Sequence, residues 1–165
     1  MLNLSALNEM PEERFVDLLG HIAEDSPFIA LAAAQDRPFA DHASLVTAFE
    51  NALRKADGES QLAVLRAHPD LAGKLTLTDA SLREQKGAGL DQLTKAERDK
   101  FMSHNRSYRE RFDFPFIYAV KGATKEQILS AFEQRLIRDF GTERDEAIGQ
   151  VVTIMRWRLI EAVAA

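Results

Sequence analysis

Apolar residues recur three and four positions apart along most of this chain, and that spacing is the strongest constraint on its fold. Phe15, Leu18, Leu19 and Ile22 follow it, which places them on one face of a helix. Similar apolar stripes occur at residues 45–56, 128–136 and 148–163. The pattern predicts a protein built almost entirely from amphipathic helices.

Helix start signals divide these stripes. A capping box is a Ser or Thr followed three residues later by an acid or amide, and each satisfies the other's backbone N–H. Thr94, Thr124 and Thr142 each begin such a pattern, and Ser26-Pro27 supplies a cap followed by proline at the first helical position. We therefore expect helices to begin directly after these four positions.

Two stretches do not fit the helical pattern. "GKLTLTDA" (residues 73–80) is rich in Gly, Thr and Asp, and is typical of a connection between helices. "FDFPFIYAVKG" (residues 112–122) is apolar, but Pro115 and the lack of alternation favour a buried irregular segment over a strand. The sequence predicts an all-α, single-domain multi-helix bundle covering residues 1–165.

Composition excludes several kinds of site and partner. The 165 residues contain no cysteine, which rules out disulfides, a thiol nucleophile and cysteine-based metal centres. The net charge of −5 comes from interspersed acids and bases, so we expect no nucleic-acid partner. We find no membrane-spanning apolar run, secretory signal or peroxisomal tag, and we expect a cytoplasmic protein.

His68 has the most unusual context of the four histidines. It lies in "RAHPDLAG", after an apolar run and directly before Pro69. Because a residue before proline is driven out of the helical region, its imidazole can point away from the helix into a cavity. The alternative is a helix-ending histidine that caps nearby carbonyls. His21, His42 and His104 have polar neighbours and are expected at the surface.

Two further groups could bind a small molecule. Ser81, Glu84 and Gln85 are spaced i, i+3, i+4 and would share one helical face, although Ser-x-x-Glu is also a capping box. Arg156 and Arg158 flank the apolar stripe of the last helix. Either could bind a carboxylate through paired hydrogen bonds, or lie with its stem on the core and its head in water. The spacing does not choose between them.

Four motifs occur in a fixed order: "AHPDLAGKL", "LTxxSxxEQxxAGLDQLT", "NxxYxxRFxFPFIxAVKG" and "RxRL". Together they resemble the 2-oxo-4-hydroxy-4-carboxy-5-ureidoimidazoline (OHCU) decarboxylase family, from about Asn8 to Val163. His104 departs from the family pattern, where an apolar residue is common. Asp113 departs from it as well, where glycine is frequent.

The resemblance implies a function and a site. It implies stereospecific decarboxylation of OHCU to (S)-allantoin, the last step from urate, by an all-helical homodimer without metal or organic cofactor. It assigns catalysis to His68, Glu84 and Arg158, with Arg156 as the alternative arginine. The substrate-binding residues that it implies are Pro69, Ser81, Gln85, Phe116, Ile117, Tyr118, Ala119 and Val120.

Two other classes of protein are alternatives to a decarboxylase. The first is a non-catalytic helical module that binds a purine-like or ureido ligand, in which Ser81 and Glu84 are only a helix cap. The second is a metal-dependent amidohydrolase, which chelation would inactivate. A decarboxylase of this substrate needs neither metal nor pyridoxal phosphate, because the adjacent ring carbonyl and imine-like nitrogen can accept the electron pair.

Overall fold

Helices form nearly all the regular structure of residues 2–73 and 79–164, the part of the chain that the computed structural model describes. The helices there are α1 (Leu4–Glu9), α2 (Glu12–Leu19), α3 (Pro27–Ala34), α4 (His42–Arg54), α5 (Gly58–Ala67), α6 (Asp79–Gly87), α7 (Lys95–Phe112), α8 (Lys125–Leu136) and α9 (Phe140–Ala162). The all-α prediction is confirmed. Most of the predicted connection at 73–80 lies outside the described residues.

A short parallel pairing is the exception to the helical structure. Strand β1 (Leu2–Asn3) pairs with β2 (Val163–Ala164), with Leu2 opposite Val163. His42 lies nearby, with its Nε2 atom 2.7 Å from the carbonyl oxygen of Val163. The expectation of a plain surface histidine is therefore wrong for His42, which links α4 to the end of the chain.

The chain divides into two compact units. The first runs to Ala67 and resumes at Val151, and in it α3 packs against α2 and α4. The second comprises His68–Gln150, where α7 packs against α8. The prediction of a single domain stays a prediction. In the described part of the chain, no helix is long and apolar enough to cross a membrane.

The predicted helix starts are correct in three cases and wrong in one. α3 begins at Pro27, and Thr94 and Thr124 form complete capping boxes at the starts of α7 and α8. The box predicted at Thr142 does not start a helix, because α9 already begins at Phe140. There, the Asp139 carboxylate accepts hydrogen bonds from the backbone N–H of Thr142 (2.9 Å) and from its hydroxyl (2.6 Å).

Residues 113–120 contain no regular structure, and Phe114, Phe116 and Ile117 are buried, both as predicted. The segment starts at Asp113, which ends α7 with a φ of 60°. Glycine adopts this left-handed conformation without a steric penalty, and Asp is among the residues that tolerate it. The sequence departure at Asp113 therefore preserves the turn.

Candidate active site

His68 directly follows α5 and begins the loop that we call the His68 loop (residues 68–73). The imidazole is buried, with 5% of the residue exposed, and Pro69 beside it is half-buried. Proline cannot donate the hydrogen bond that the next helical turn needs, so α5 ends at Ala67. The loop therefore starts directly after α5, and its histidine is the first residue of the second unit.

Two side chains of α7 bond to this loop. The amide nitrogen of Asn105 donates to the carbonyl of Leu71 (2.9 Å), and Nε of Arg109 donates to the Asp70 carboxylate (2.8 Å). Asn105 and Arg109 are four residues apart, so they share one face of the helix. Sequence reasoning did not identify either residue as part of the site.

Helix α6 reaches the same loop through Gln85. Its side-chain oxygen accepts a 3.0 Å hydrogen bond from the backbone N–H of Ala72. Ser81 and Gln85 are buried, and Glu84 is half-buried. The interpretation of Ser81 as a helix cap is wrong, because α6 begins at Asp79 and Ser81 lies within it. The three polar residues of α6 thus share a helix that is bonded directly to the His68 loop.

Side chains, rather than a neighbouring strand, make the hydrogen bonds to the backbone of segment 116–120. Nη1 of Arg135 donates to the Ile117 carbonyl (2.7 Å), and the Ala119 N–H donates to Oε1 of Gln150 (2.8 Å). Gln150 in turn donates to Glu146, and this hydrogen bond lowers the pKa of the Glu146 carboxyl. Side chains of α8 and α9 therefore satisfy backbone groups on both sides of Tyr118.

The ring of Phe116 contacts both an aromatic ring and a cation. Phe132 stacks on it with centroids 3.8 Å apart and an interplanar angle of 11°, and the Arg135 guanidinium carbon lies 4.4 Å from the Phe116 centroid. Tyr108 meets the same ring edge-on at 5.4 Å. Phe116 is fully buried, so this end of the segment is part of the aromatic core of the second unit.

A buried charge pair supports that arrangement. Arg135 Nη2 lies 2.6 Å from a carboxylate oxygen of Glu143, with their side chains 4% and 0% exposed. The Tyr108 hydroxyl donates to the same oxygen. Burial raises the pKa of the Tyr108 phenol well above its ordinary value, and the hydrogen bond to Glu143 raises it further. Arg135 thus connects a buried carboxylate to the backbone of segment 116–120.

The two candidate arginines differ in their surroundings. Arg156 is exposed, whereas Arg158 is buried in the first unit. Arg158 donates from Nη2 to Oε1 of Glu24 (2.8 Å) and from Nη1 to the Ile22 carbonyl (3.2 Å). Glu24 is itself buried, and nothing in its sequence context marks it as a partner of Arg158.

The model of the OHCU decarboxylase family matches residues 8–160. The chain belongs to this family. The members of the OHCU decarboxylase family are carboxy-lyases, so the match also confirms the predicted enzyme class.

Individual family members agree with this assignment. The OHCU decarboxylase of Haloferax volcanii is 41% identical over 160 residues, which are 97% of this chain and 95% of that protein. The uric acid degradation bifunctional protein PucL of Bacillus subtilis is 39% identical over 99% of this chain, which spans 33% of that longer protein. A crystal structure of (S)-allantoin synthase aligns with a TM-score of 0.81 at 29% identity, covering 98% of this chain and 54% of the other.

Proposed function

We propose that this protein decarboxylates OHCU to (S)-allantoin without a metal or organic cofactor. The observation that carries the proposal is the 41% identity, over 97% of the chain, to a relative named for this decarboxylation. The local structure is compatible with it, because the buried His68 lies in a loop that is bonded to the helix carrying Ser81, Glu84 and Gln85.

The proposed reaction needs no external electron acceptor. The bond from the ring carbon to the carboxylate breaks, and its electron pair delocalises into the neighbouring carbon–nitrogen double bond as carbon dioxide leaves. The hydroxyl on the same carbon then loses its proton and becomes the carbonyl of allantoin. A proton is added to the neighbouring ring carbon, which bears the ureido group and becomes the stereocentre. The ring nitrogen that received the electron pair takes one further proton from water, which gives neutral allantoin. The protein supplies orientation, charge stabilisation and proton transfer.

Each polar residue receives one role in this proposal. His68 accepts the hydroxyl proton and delivers a proton to one face of the ureido-bearing carbon. Glu84 orients the imidazole, as a carboxylate beside histidine does. Arg158 contacts the substrate carboxylate through its guanidinium. Arg156, which is exposed, is not assigned a role.

The remaining predicted residues shape the substrate pocket. Ser81 and the amide nitrogen of Gln85 donate hydrogen bonds to the substrate, and Pro69 adjoins it. In segment 116–120, the Ile117 carbonyl and the Ala119 N–H already bond to Arg135 and Gln150. Substrate contacts therefore come from the other backbone groups and apolar surfaces of this segment.

The decisive assay measures the handedness of the product. The reaction also proceeds in water, where protonation from either face gives a racemate, so loss of substrate alone is a weak test. Urate, urate oxidase and hydroxyisourate hydrolase generate the substrate in place, and circular dichroism follows (S)-allantoin. Because general acid–base catalysis contributes about 10²–10⁴-fold, His68→Asn should slow formation of the optically active product by at least about 100-fold.

Three controls complete this experiment: the variant His21→Asn, a reaction without the protein and a reaction with a metal chelator. His21→Asn removes an exposed imidazole and should leave the rate unchanged. A non-catalytic binding module would give racemic allantoin with or without the protein, and a metal-dependent amidohydrolase would lose its activity on chelation. Wild-type activity in His68→Asn would disprove the role of this histidine.

We further propose that the protein is a cytoplasmic homodimer. Ile160 on α9 is 51% exposed, which provides an apolar contact point for a second copy. Light scattering during size-exclusion chromatography measures the mass directly. A mass equal to the 18.5 kDa chain would contradict the dimer.

A further inference from the structure

Glu24 is a buried carboxylate that the proposed mechanism does not use. It is 2% exposed, and its Oε1 atom lies 2.8 Å from Nη2 of Arg158. Charged groups are rarely buried unless they are paired, because removing them from water is costly. The contact therefore neutralises both charges inside the first unit.

The backbone at Glu24 is unusual as well. Its φ of 52° lies in the left-handed region, where glycine and asparagine are favoured and glutamate is uncommon. Such conformations persist where the surrounding structure requires them, often at functional sites. Glycine would adopt this backbone conformation at a lower steric cost. The side chain of glutamate, rather than its backbone, therefore accounts for the residue at this position.

The same turn bonds the guanidinium at a second point. Nη1 of Arg158 donates to the carbonyl of Ile22 (3.2 Å), while Nη2 donates to Glu24 (2.8 Å). Bonding both terminal nitrogens fixes the plane of the guanidinium and limits rotation about the side-chain torsions. An arginine that binds a carboxylate through paired hydrogen bonds depends on that plane.

We infer that Glu24 is a positioning residue, which fixes the guanidinium of Arg158 in the orientation that receives the substrate carboxylate. The inference rests on the proposed function, in which Arg158 makes that contact. Glu24 does not touch the substrate. Its contribution is preorganisation, because an arginine that is already oriented loses less rotational freedom when the substrate binds.

Two substitutions separate the side chain from the turn. Glu24→Gly keeps the left-handed backbone at no steric cost and removes the carboxylate. Glu24→Gln keeps the length and an acceptor oxygen for Nη2 while removing the charge. Asp25→Asn changes the charge of the neighbouring exposed carboxylate and serves as the matched control. Thermal unfolding of each variant verifies that the turn is intact.

The readouts are KM and kcat for optically active allantoin, together with the Kd for (S)-allantoin itself. Allantoin lacks the departing carboxylate, so its affinity does not depend on this contact of Arg158. We expect Glu24→Gly to raise KM at least about tenfold with little change in kcat, which is the signature of lost uniform binding. Its Kd for (S)-allantoin should stay within about twofold, and Glu24→Gln should restore KM to within about threefold of wild type.

Three results would overturn the inference. The first is a wild-type KM in Glu24→Gly. The second is an equal loss of affinity for substrate and for (S)-allantoin, which indicates general damage to the fold. The third is a rise in KM in Glu24→Gln as large as in Glu24→Gly.

Arg158→Gln separates this inference from the proposed function. If Arg158→Gln forms (S)-allantoin with wild-type kinetics, the proposed role of Arg158 fails, and the role of Glu24 fails with it. If Arg158→Gln is impaired while Glu24→Gly is not, only the positioning role of Glu24 is wrong.

Discussion

The side-chain oxygen of Gln85 accepts a hydrogen bond of 3.0 Å from the backbone N–H of Ala72. This bond joins α6 to the His68 loop. The residue that donates it, Ala72, has a φ of 55°. A left-handed alanine is sterically disfavoured, so neighbouring contacts must maintain its conformation. Gln85 is therefore as much a part of the loop's structure as of the proposed substrate site.

Gln85→Leu tests this structural role. The substitution leaves the N–H of Ala72 without its acceptor in a buried position, which costs about 1–3 kcal/mol in the free energy of unfolding. We expect chemical denaturation to show that loss, together with slower formation of (S)-allantoin. Lys86→Leu, on the exposed side of the same helix, should change stability by no more than about 0.5 kcal/mol. Equal effects in the two variants would contradict the role of Gln85.

The two contacts from α7 to the His68 loop should differ in strength. Asn105 is 6% exposed and donates to the Leu71 carbonyl, so Asn105→Leu should destabilise the protein by about 1–3 kcal/mol. The Arg109–Asp70 pair has side chains 40% and 20% exposed, and water screens it. Arg109→Gln should therefore cost no more than about 1 kcal/mol. Urea denaturation of both variants checks the order, and a larger loss in Arg109→Gln would reverse it.

Asn105 and Arg135 show how much of the site was visible in the sequence. Asn105 shares a helical face with Phe101 and Phe112, and Arg135 shares one with Ile128 and Phe132. A polar residue in an apolar stripe is a signal for a buried hydrogen-bonding role. The partners, a loop carbonyl and a carboxylate on the next helix, depend on tertiary contacts that periodicity does not encode.

The start of α9 and the role of Glu24 were harder to predict from the sequence. Thr142 and Asp139 could both start α9, and Asp139 does so by accepting both a backbone and a hydroxyl hydrogen bond from Thr142. Glu24 belongs to no apolar stripe, and glutamate is a poor candidate for a left-handed turn. Its role follows only from the position of Arg158, 134 residues further along the chain.

The buried Arg135–Glu143 pair should contribute strongly to stability. Arg135→Met removes the 2.6 Å partner of the fully buried Glu143 carboxylate and leaves it the half-buried guanidinium of Arg138, 3.8 Å from its other oxygen. Breaking such a pair costs about 3–5 kcal/mol, whereas replacing both partners with apolar residues is often much less damaging. We therefore expect Arg135→Met/Glu143→Leu to be more stable than Arg135→Met. Denaturation curves for the two variants test this, and the opposite order would show that the pair is not electrostatically coupled.

Tyr108 provides a spectroscopic test of the same buried cluster. Burial and the hydrogen bond to Glu143 raise the pKa of its phenol from an ordinary value of 10.0. The protein has two tyrosines, so Tyr118→Phe leaves Tyr108 as the only phenol. At about pH 11 the folded variant should show no ultraviolet signal of the phenolate. The signal should appear when the variant is unfolded at the same pH. A normal titration in the folded state would contradict the buried contact.

This shift also fixes the sign of a stability change. Above pH 10 the unfolded chain has lost the Tyr108 proton while the folded protein retains it, so the unfolded state binds fewer protons and folding stability falls as the pH rises. For one group the slope is about 1.4 kcal/mol per pH unit. Tyr108→Phe removes this dependence but also loses the bond to Glu143. Denaturation measures the free energy of unfolding of wild type and of Tyr108→Phe. As the pH rises above 10, we expect the wild type to lose stability relative to Tyr108→Phe. A difference between the two that does not change with pH would show that Tyr108 ionises normally.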